Sequence, residues 1–99
     1  GSIRNGYTVK LLNKVPEPRT VVISLHDLPG ATMNVVGIDL PDSVSVPVTL
    51  EPDRAKSLKV YVRQPRGLGT AGVQALRFTV EDRSTLETAE YTTTFESPE

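Results

Sequence analysis

Leu58-Lys59-Val60-Tyr61-Val62-Arg63 alternates without a break, apolar at 58, 60 and 62 and polar or amphipathic at 59, 61 and 63. Successive side chains of a strand face opposite ways, so a period of two marks a half-buried strand and not a helix. The pattern predicts Val60 and Val62 in a core, with Lys59, Tyr61 and Arg63 on the outside. Downstream, residues 74–80 repeat the alternation with Leu76, Phe78 and Val80 inward, and residues 89–96 set Ala89, Tyr91, Thr93 and Phe95 against Glu90, Thr92, Thr94 and Glu96. Upstream, residues 51–56 read as a polar turn or a single helical turn. Before them lie two shorter strands, 33–38 and 44–48, parted by Pro41-Asp42-Ser43, and Pro47 marks the second as an edge strand or a bulge because proline donates nothing to a ladder. Leu28-Pro29-Gly30 is a turn. Residues 20–26 form a strand with Val21, Ile23 and Leu25 inward, and Pro16 and Pro18 divide it from an opening strand, 7–14, with Tyr7, Val9 and Leu11 inward.

About seven short strands result, spaced roughly 8–12 residues apart with their loops, which is the signature of a β-sandwich. Composition agrees: 13 Val and 11 Thr favour a pleated surface, and 8 Pro with 7 Gly interrupt any helix of ordinary length. The 99 residues suffice for one core and one domain. Each strand has one polar face, so two sheets packed face to face bury every apolar stripe without helices. The expected fold is an all-β, antiparallel immunoglobulin-like sandwich with Tyr7, Val9, Leu11, Val21, Ile23, Leu25, Val60, Val62, Leu76, Phe78, Val80 and Tyr91 facing its core. The Cys and Trp core of antibody domains is missing.

Charge narrows the function classes. With 11 basic and 12 acidic residues the net charge is −1, which predicts no basic field for nucleic acid or anionic lipid. There is no cysteine for a disulfide, a thiolate nucleophile or an iron–sulfur ligand set. No apolar run approaches the roughly 18 residues of a membrane span, and the first residues lack a signal-peptide pattern. Gly1-Ser2 followed at once by a strand pattern suggests a piece of something larger.

Several motifs invite chemistry. Gly67-Leu68-Gly69-Thr70-Ala71-Gly72 matches the dinucleotide fingerprint G-x-G-x-x-G, but that loop works by opening a helix inside a βαβ unit, and here a strand pattern follows; a flexible connection is expected instead. His26 is the only histidine. Ser24 lies two residues away on the same strand face, roughly 7 Å off and beyond hydrogen-bond reach, and Asp27 belongs to the turn, so no catalytic constellation is expected and His26 reads as a solvated residue at a strand end. Glu81-Asp82, and Asp39 with Asp42, lack the oxygen spacing of a calcium loop. Lys59, Arg63 and Arg66 around Tyr61 could form a small cationic, aromatic surface, but the expected reading is an ordinary protected outer sheet face. His26 and Met33, the only His and Met, flank one turn, and imidazole with thioether suits Cu(I); however, the second and third strands of such a sandwich lie in opposite sheets about 10 Å apart, so no tight copper site is expected.

The opening segment Ile3-Arg4-Asn5-Gly6-Tyr7-Thr8-Val9-Lys10-Leu11-Leu12-Asn13-Lys14, with Pro18-Arg19, Leu28-Pro29-Gly30-Ala31 and Phe78-Thr79-Val80, resembles the C-terminal Ig-like domain of the FixG/CcoG/RdxA family. Members are membrane proteins of cbb3-type cytochrome oxidase maturation, linked to copper handling. The resemblance implies a non-catalytic accessory domain of a redox-active parent, placed after the last membrane span on the periplasmic side of the bacterial inner membrane. The parent's cysteine-bound 4Fe–4S clusters have no counterpart here, so no cofactor is expected in this domain, and its partner would be another protein or the rest of the parent chain. Asn5, Tyr7 and Asn13 match the family pattern and are expected to be structural, the tyrosine packing at a sheet edge and the asparagines bonding turns. An Ig-like module of a secreted glycosidase or adhesin shares part of this grammar and is the alternative.

Overall fold

A computed structural model describes residues 2–65 and 72–97. Seven strands follow in chain order: β1 (Ser2–Asn13), β2 (Arg19–His26), β3 (Thr32–Val35), β4 (Ser45–Leu50), β5 (Arg54–Pro65), β6 (Gly72–Asp82) and β7 (Thr88–Ser97). They form two antiparallel sheets, one ordered β1-β5-β3 and the other β4-β2-β6-β7. From β1 to β6 the chain changes sheet at every connection, so sequence neighbours face each other across the core. Among the described residues no helix is long and apolar enough to cross a membrane.

The alternation of β5 holds: Leu58, Val60 and Val62 are buried, Lys59 and Arg63 are exposed and Tyr61 is half-buried. They meet Ile23, Leu76, Phe78 and Phe95 from the opposite sheet. Burying a side chain of this size contributes about 1.5–3 kcal/mol, and the combined apolar surface holds the sheets together without a disulfide. Pro47 sits in β4, an edge strand, as its missing N–H requires. Gly30 (φ +69°) supplies the left-handed residue that closes the turn between β2 and β3.

Three expectations need correction. Residues 54–56 are not turn but the start of β5, which is extended because Arg54, Ala55 and Lys56 pair with Asn13, Leu12 and Leu11. Residues 36–38 leave the strand at Val35, and Gly37 takes φ +92°. Tyr91 points toward the interior side of β7 but is 44% exposed, and Ala89 is exposed as well. β7 is the outermost strand of its sheet, and this half of it is not roofed by the three-stranded sheet opposite; only Phe95, nearer the strand's end, reaches the core.

Candidate interaction surface

β1 and β7 are edge strands of different sheets on the same side of the sandwich, and side chains of β1 close the seam between them. The Asn5 amide donates to the Glu96 carbonyl (3.0 Å) and accepts from the Glu96 N–H (3.1 Å), doing with a side chain what a neighbouring strand does with its backbone. Two residues along, the Tyr7 hydroxyl donates to the Thr94 carbonyl (2.7 Å) while its ring meets Phe78 edge-on, 5.5 Å between centroids. Burial first, and the nearby Glu96 charge second, push the Tyr7 phenol up to about 12. Asn13 works at the far end of β1. Its Nδ2 donates to the carbonyls of Glu17 (2.9 Å), Leu50 (3.3 Å) and Glu51 (3.1 Å), and its Oδ1 accepts from Val15 N–H (3.2 Å), tying the β1–β2 and β4–β5 turns together. Asn13 therefore bonds turns, whereas Asn5 bonds a strand.

His26, Ser24, Met33, Asp82, Asp27 and Glu90 are engaged in the fold. His26 is half-buried, not freely solvated, because its Nε2 meets Thr79 Oγ1 at 2.9 Å on the outer face of the four-stranded sheet. Ser24 bonds Ser45 (3.0 Å) and not His26. Met33 is 1% exposed, inside the core from the other sheet, so His26 and Met33 are not brought together. Asp82 accepts from the Ser84 hydroxyl and from the Ser84 and Thr85 N–H groups and pairs with Arg19 (3.2 Å), which together hold its carboxyl below the usual range. Asp27 and Glu90 both pair with Arg77. Among the described residues no three His, Cys, Asp or Glu side chains converge as a metal site. Of the glycine-rich segment 67–72 only Gly72, the first residue of β6, lies within the described residues; Arg66 and Gly1 lie outside them.

What the sandwich does assemble is a charged face. β1, β3 and β5 carry Arg4, Lys10, Arg54, Lys56, Lys59 and Arg63 and no acidic residue. The strands of the other sheet carry Glu81, Asp82, Glu90 and Glu96 against Arg19 and Arg77. A net charge of −1 thus conceals a division by sheet, and the absence of a basic field inferred from overall charge does not hold locally. Arg4, Lys10, Lys59 and Arg63 share the outer face of the three-stranded sheet with Tyr61 at its centre. Register makes this surface: Gly6 lies opposite Tyr61, and a Cβ there would come within 3.1 Å of the Tyr61 ring, so the glycine lets the ring lie across β1. Arg4 then stacks over the ring at 4.7 Å and Lys59 approaches at 5.7 Å. Arg63 reaches Asp42 at 3.5 Å, and Arg4, Asn34, Asp42, Tyr61 and Arg63 line a shallow polar recess. Lys59, Arg63 and Tyr61 share one parity and are legible in the sequence. Arg4 joins them only through the β1–β5 pairing.

Fold and surface define an immunoglobulin-like β-sandwich with a basic outer face on its three-stranded sheet. The family model described as "IG-like fold at C-terminal of FixG, putative oxidoreductase" matches residues 1–98, and the chain belongs to that family. It is similar to the nitrogen fixation protein FixG of Rhizobium meliloti (strain 1021), 40% identical over 98 residues that make up 99% of this chain and 19% of that protein. The chain thus spans about a fifth of the relative's length. Among solved structures, a FixG-related protein from Vibrio parahaemolyticus superposes with a TM-score of 0.81 at 17% identity, covering 96% of this chain and 79% of that one, a likeness of fold.

Proposed function

We propose that this chain is a non-catalytic docking domain of a FixG-like membrane redox protein that acts in cbb3-type cytochrome oxidase assembly and copper handling. Family membership and the family's description as the C-terminal part of an oxidoreductase support the redox parent. In this reading the iron–sulfur clusters and membrane spans belong to other parts of the parent, and the domain stands on the periplasmic side of the inner membrane. The observation that carries the docking role is the outer face of β1, β5 and β3, where Arg4, Lys10, Lys59 and Arg63 stand exposed with no acidic residue on the same strands. His26, Ser24, Asp82 and Glu90 are each bonded to other side chains of the fold, which supports the non-catalytic reading. The test is made in the full-length parent. Removing this domain should lower the amount of assembled oxidase in membranes while the parent's clusters remain loaded, and unchanged oxidase assembly would sink the proposal. Protease accessibility of the domain in spheroplasts against intact cells checks its compartment.

A further inference from the structure

We infer that the outer face of β1, β5 and β3 receives an acidic polypeptide segment whose carboxylates seat between Arg4 and Arg63; this rests on the reading of the chain as a docking domain. The register places Arg4 directly opposite Arg63, and like charges in that position destabilise a sheet. Folding does not require two arginines there, and a local conflict of this kind is characteristic of a functional site. Each guanidinium is already positioned, Arg4 by the Tyr61 ring (4.7 Å) and Arg63 by Asp42 (3.5 Å). The single Asp42 carboxylate cannot neutralise both. A carboxylate entering the recess they share with Asn34 would relieve the repulsion, and the planar fork of arginine suits it in a paired geometry.

Lys59 and Lys10 continue the row along the strands. From Arg4 to Lys10 the face runs about 20 Å and is three strands, about 10 Å, wide, dimensions that match a short extended segment carrying spaced carboxylates. A membrane surface fits less well. Tyr61 lies against Gly6 beneath Arg4 and Lys59 and is not free to insert, the exposed large apolar residue of β1 is Leu12 at the far end, and Asp42 would face lipid phosphates. A segment with spaced charges steps past Asp42.

The experiment titrates the isotopically labelled chain with a synthetic octapeptide alternating Glu and Ser, with its Gln counterpart, and with phosphatidylcholine vesicles with and without phosphatidylglycerol, following amide NMR shifts. Saturable shifts at Arg4, Gly6, Asn34, Tyr61 and Arg63 are expected with the Glu peptide alone, weakening as salt is raised. Arg4→Gln and Arg63→Gln should each weaken binding about fivefold. The inference is overturned by no saturable shift with the Glu peptide, by shifts with phosphatidylglycerol vesicles only, or by unchanged binding in both Arg4→Gln and Arg63→Gln. In the full-length parent the two readings separate. If deleting the domain impairs oxidase assembly but the Arg4→Gln, Arg63→Gln pair does not, the acidic segment falls and docking stands; if deletion has no effect, docking itself falls.

Discussion

Replacing Asn13 by alanine removes one side chain from the junction of two turns, and the structure allows the cost to be worked out. Asn13 is 4% exposed, and its amide presents two hydrogens to three carbonyls, those of Glu17, Leu50 and Glu51, while its oxygen accepts from Val15 N–H. Three net hydrogen bonds at about 1 kcal/mol each give a loss of about 3 kcal/mol, or a fall in Tm of about 12–24 °C for a domain of this size. Asn13→Asp is the sharper probe because it keeps the shape and the acceptor but turns a carboxylate toward three carbonyl oxygens. That environment favours the protonated acid, so the folded-state pKa of the new group lies above its unfolded value of about 4. The deficit relative to the parent chain should therefore be smallest below pH 4 and grow as pH rises through the folded-state pKa. Urea denaturation of the three proteins at pH 4 and pH 7 measures both effects. An alanine cost below about 1 kcal/mol, or an aspartate deficit that does not change with pH, would refute the assignment of Asn13 as the tie between these turns.

Tyr7→Phe keeps the edge-on packing with Phe78 and loses only the bond to the partly solvated Thr94 carbonyl, so a cost of about 0.5–1 kcal/mol is expected by thermal denaturation. Because the Tyr7 phenol is raised to about 12, its contribution is whole below pH 10, the unfolded value, and lost as pH climbs toward 12; Tyr7→Phe should flatten that part of the alkaline stability profile. Asn5→Ala should speed hydrogen exchange of the Glu96 amide, and an unchanged rate would contradict the Asn5 bridge. Phe95→Ala, at a site with no exposure, should cost about 3–5 kcal/mol in urea titration. An anaerobic Cu(I) titration against a competing chelator should find no submicromolar site, and His26→Ala and Met33→Leu should leave the curve unaltered, since the two side chains sit on different sheets.

Parity along each strand made most of the core legible in the sequence. Val9, Leu11, Ile23, Val60, Leu76 and Phe78 are buried where alternation puts them. Parity names the face a side chain points to but not whether anything covers that face, and Tyr91 shows the difference. Residues 54–56 were opaque for a related reason: Arg-Ala-Lys has no strand preference of its own and is extended by its partner β1, which lies more than forty residues upstream. The same pairing hid the candidate surface. Lys59, Tyr61 and Arg63 stand together in the sequence, but Arg4 and the space at Gly6 reach them only across the β1–β5 ladder, and a whole-chain charge of −1 averages over two sheets of opposite character. Asn5 and Tyr7 resembled a family pattern, yet their partners Glu96 and Thr94 lie about ninety residues away, where no local rule reaches.

The Asn5–Glu96 and Tyr7–Thr94 contacts also decide how the sandwich responds to force. Asn5 near the start of β1 meets Glu96 near the end of β7, and Tyr7 meets Thr94 one step further in, so the two strands leave the sandwich side by side at the same end. Tension between the chain's two ends acts across this seam and not along it. The load falls first on the Asn5 bridge, next on the Tyr7 hydroxyl, and only then on the packed interior, so the seam opens one contact at a time like a zip. Single-molecule pulling through the ends should register a low opening force that Asn5→Ala lowers further, while pulling between the start of β1 and the Glu51–Asp53 turn, which loads the β1–β5 ladder lengthwise, should meet much greater resistance.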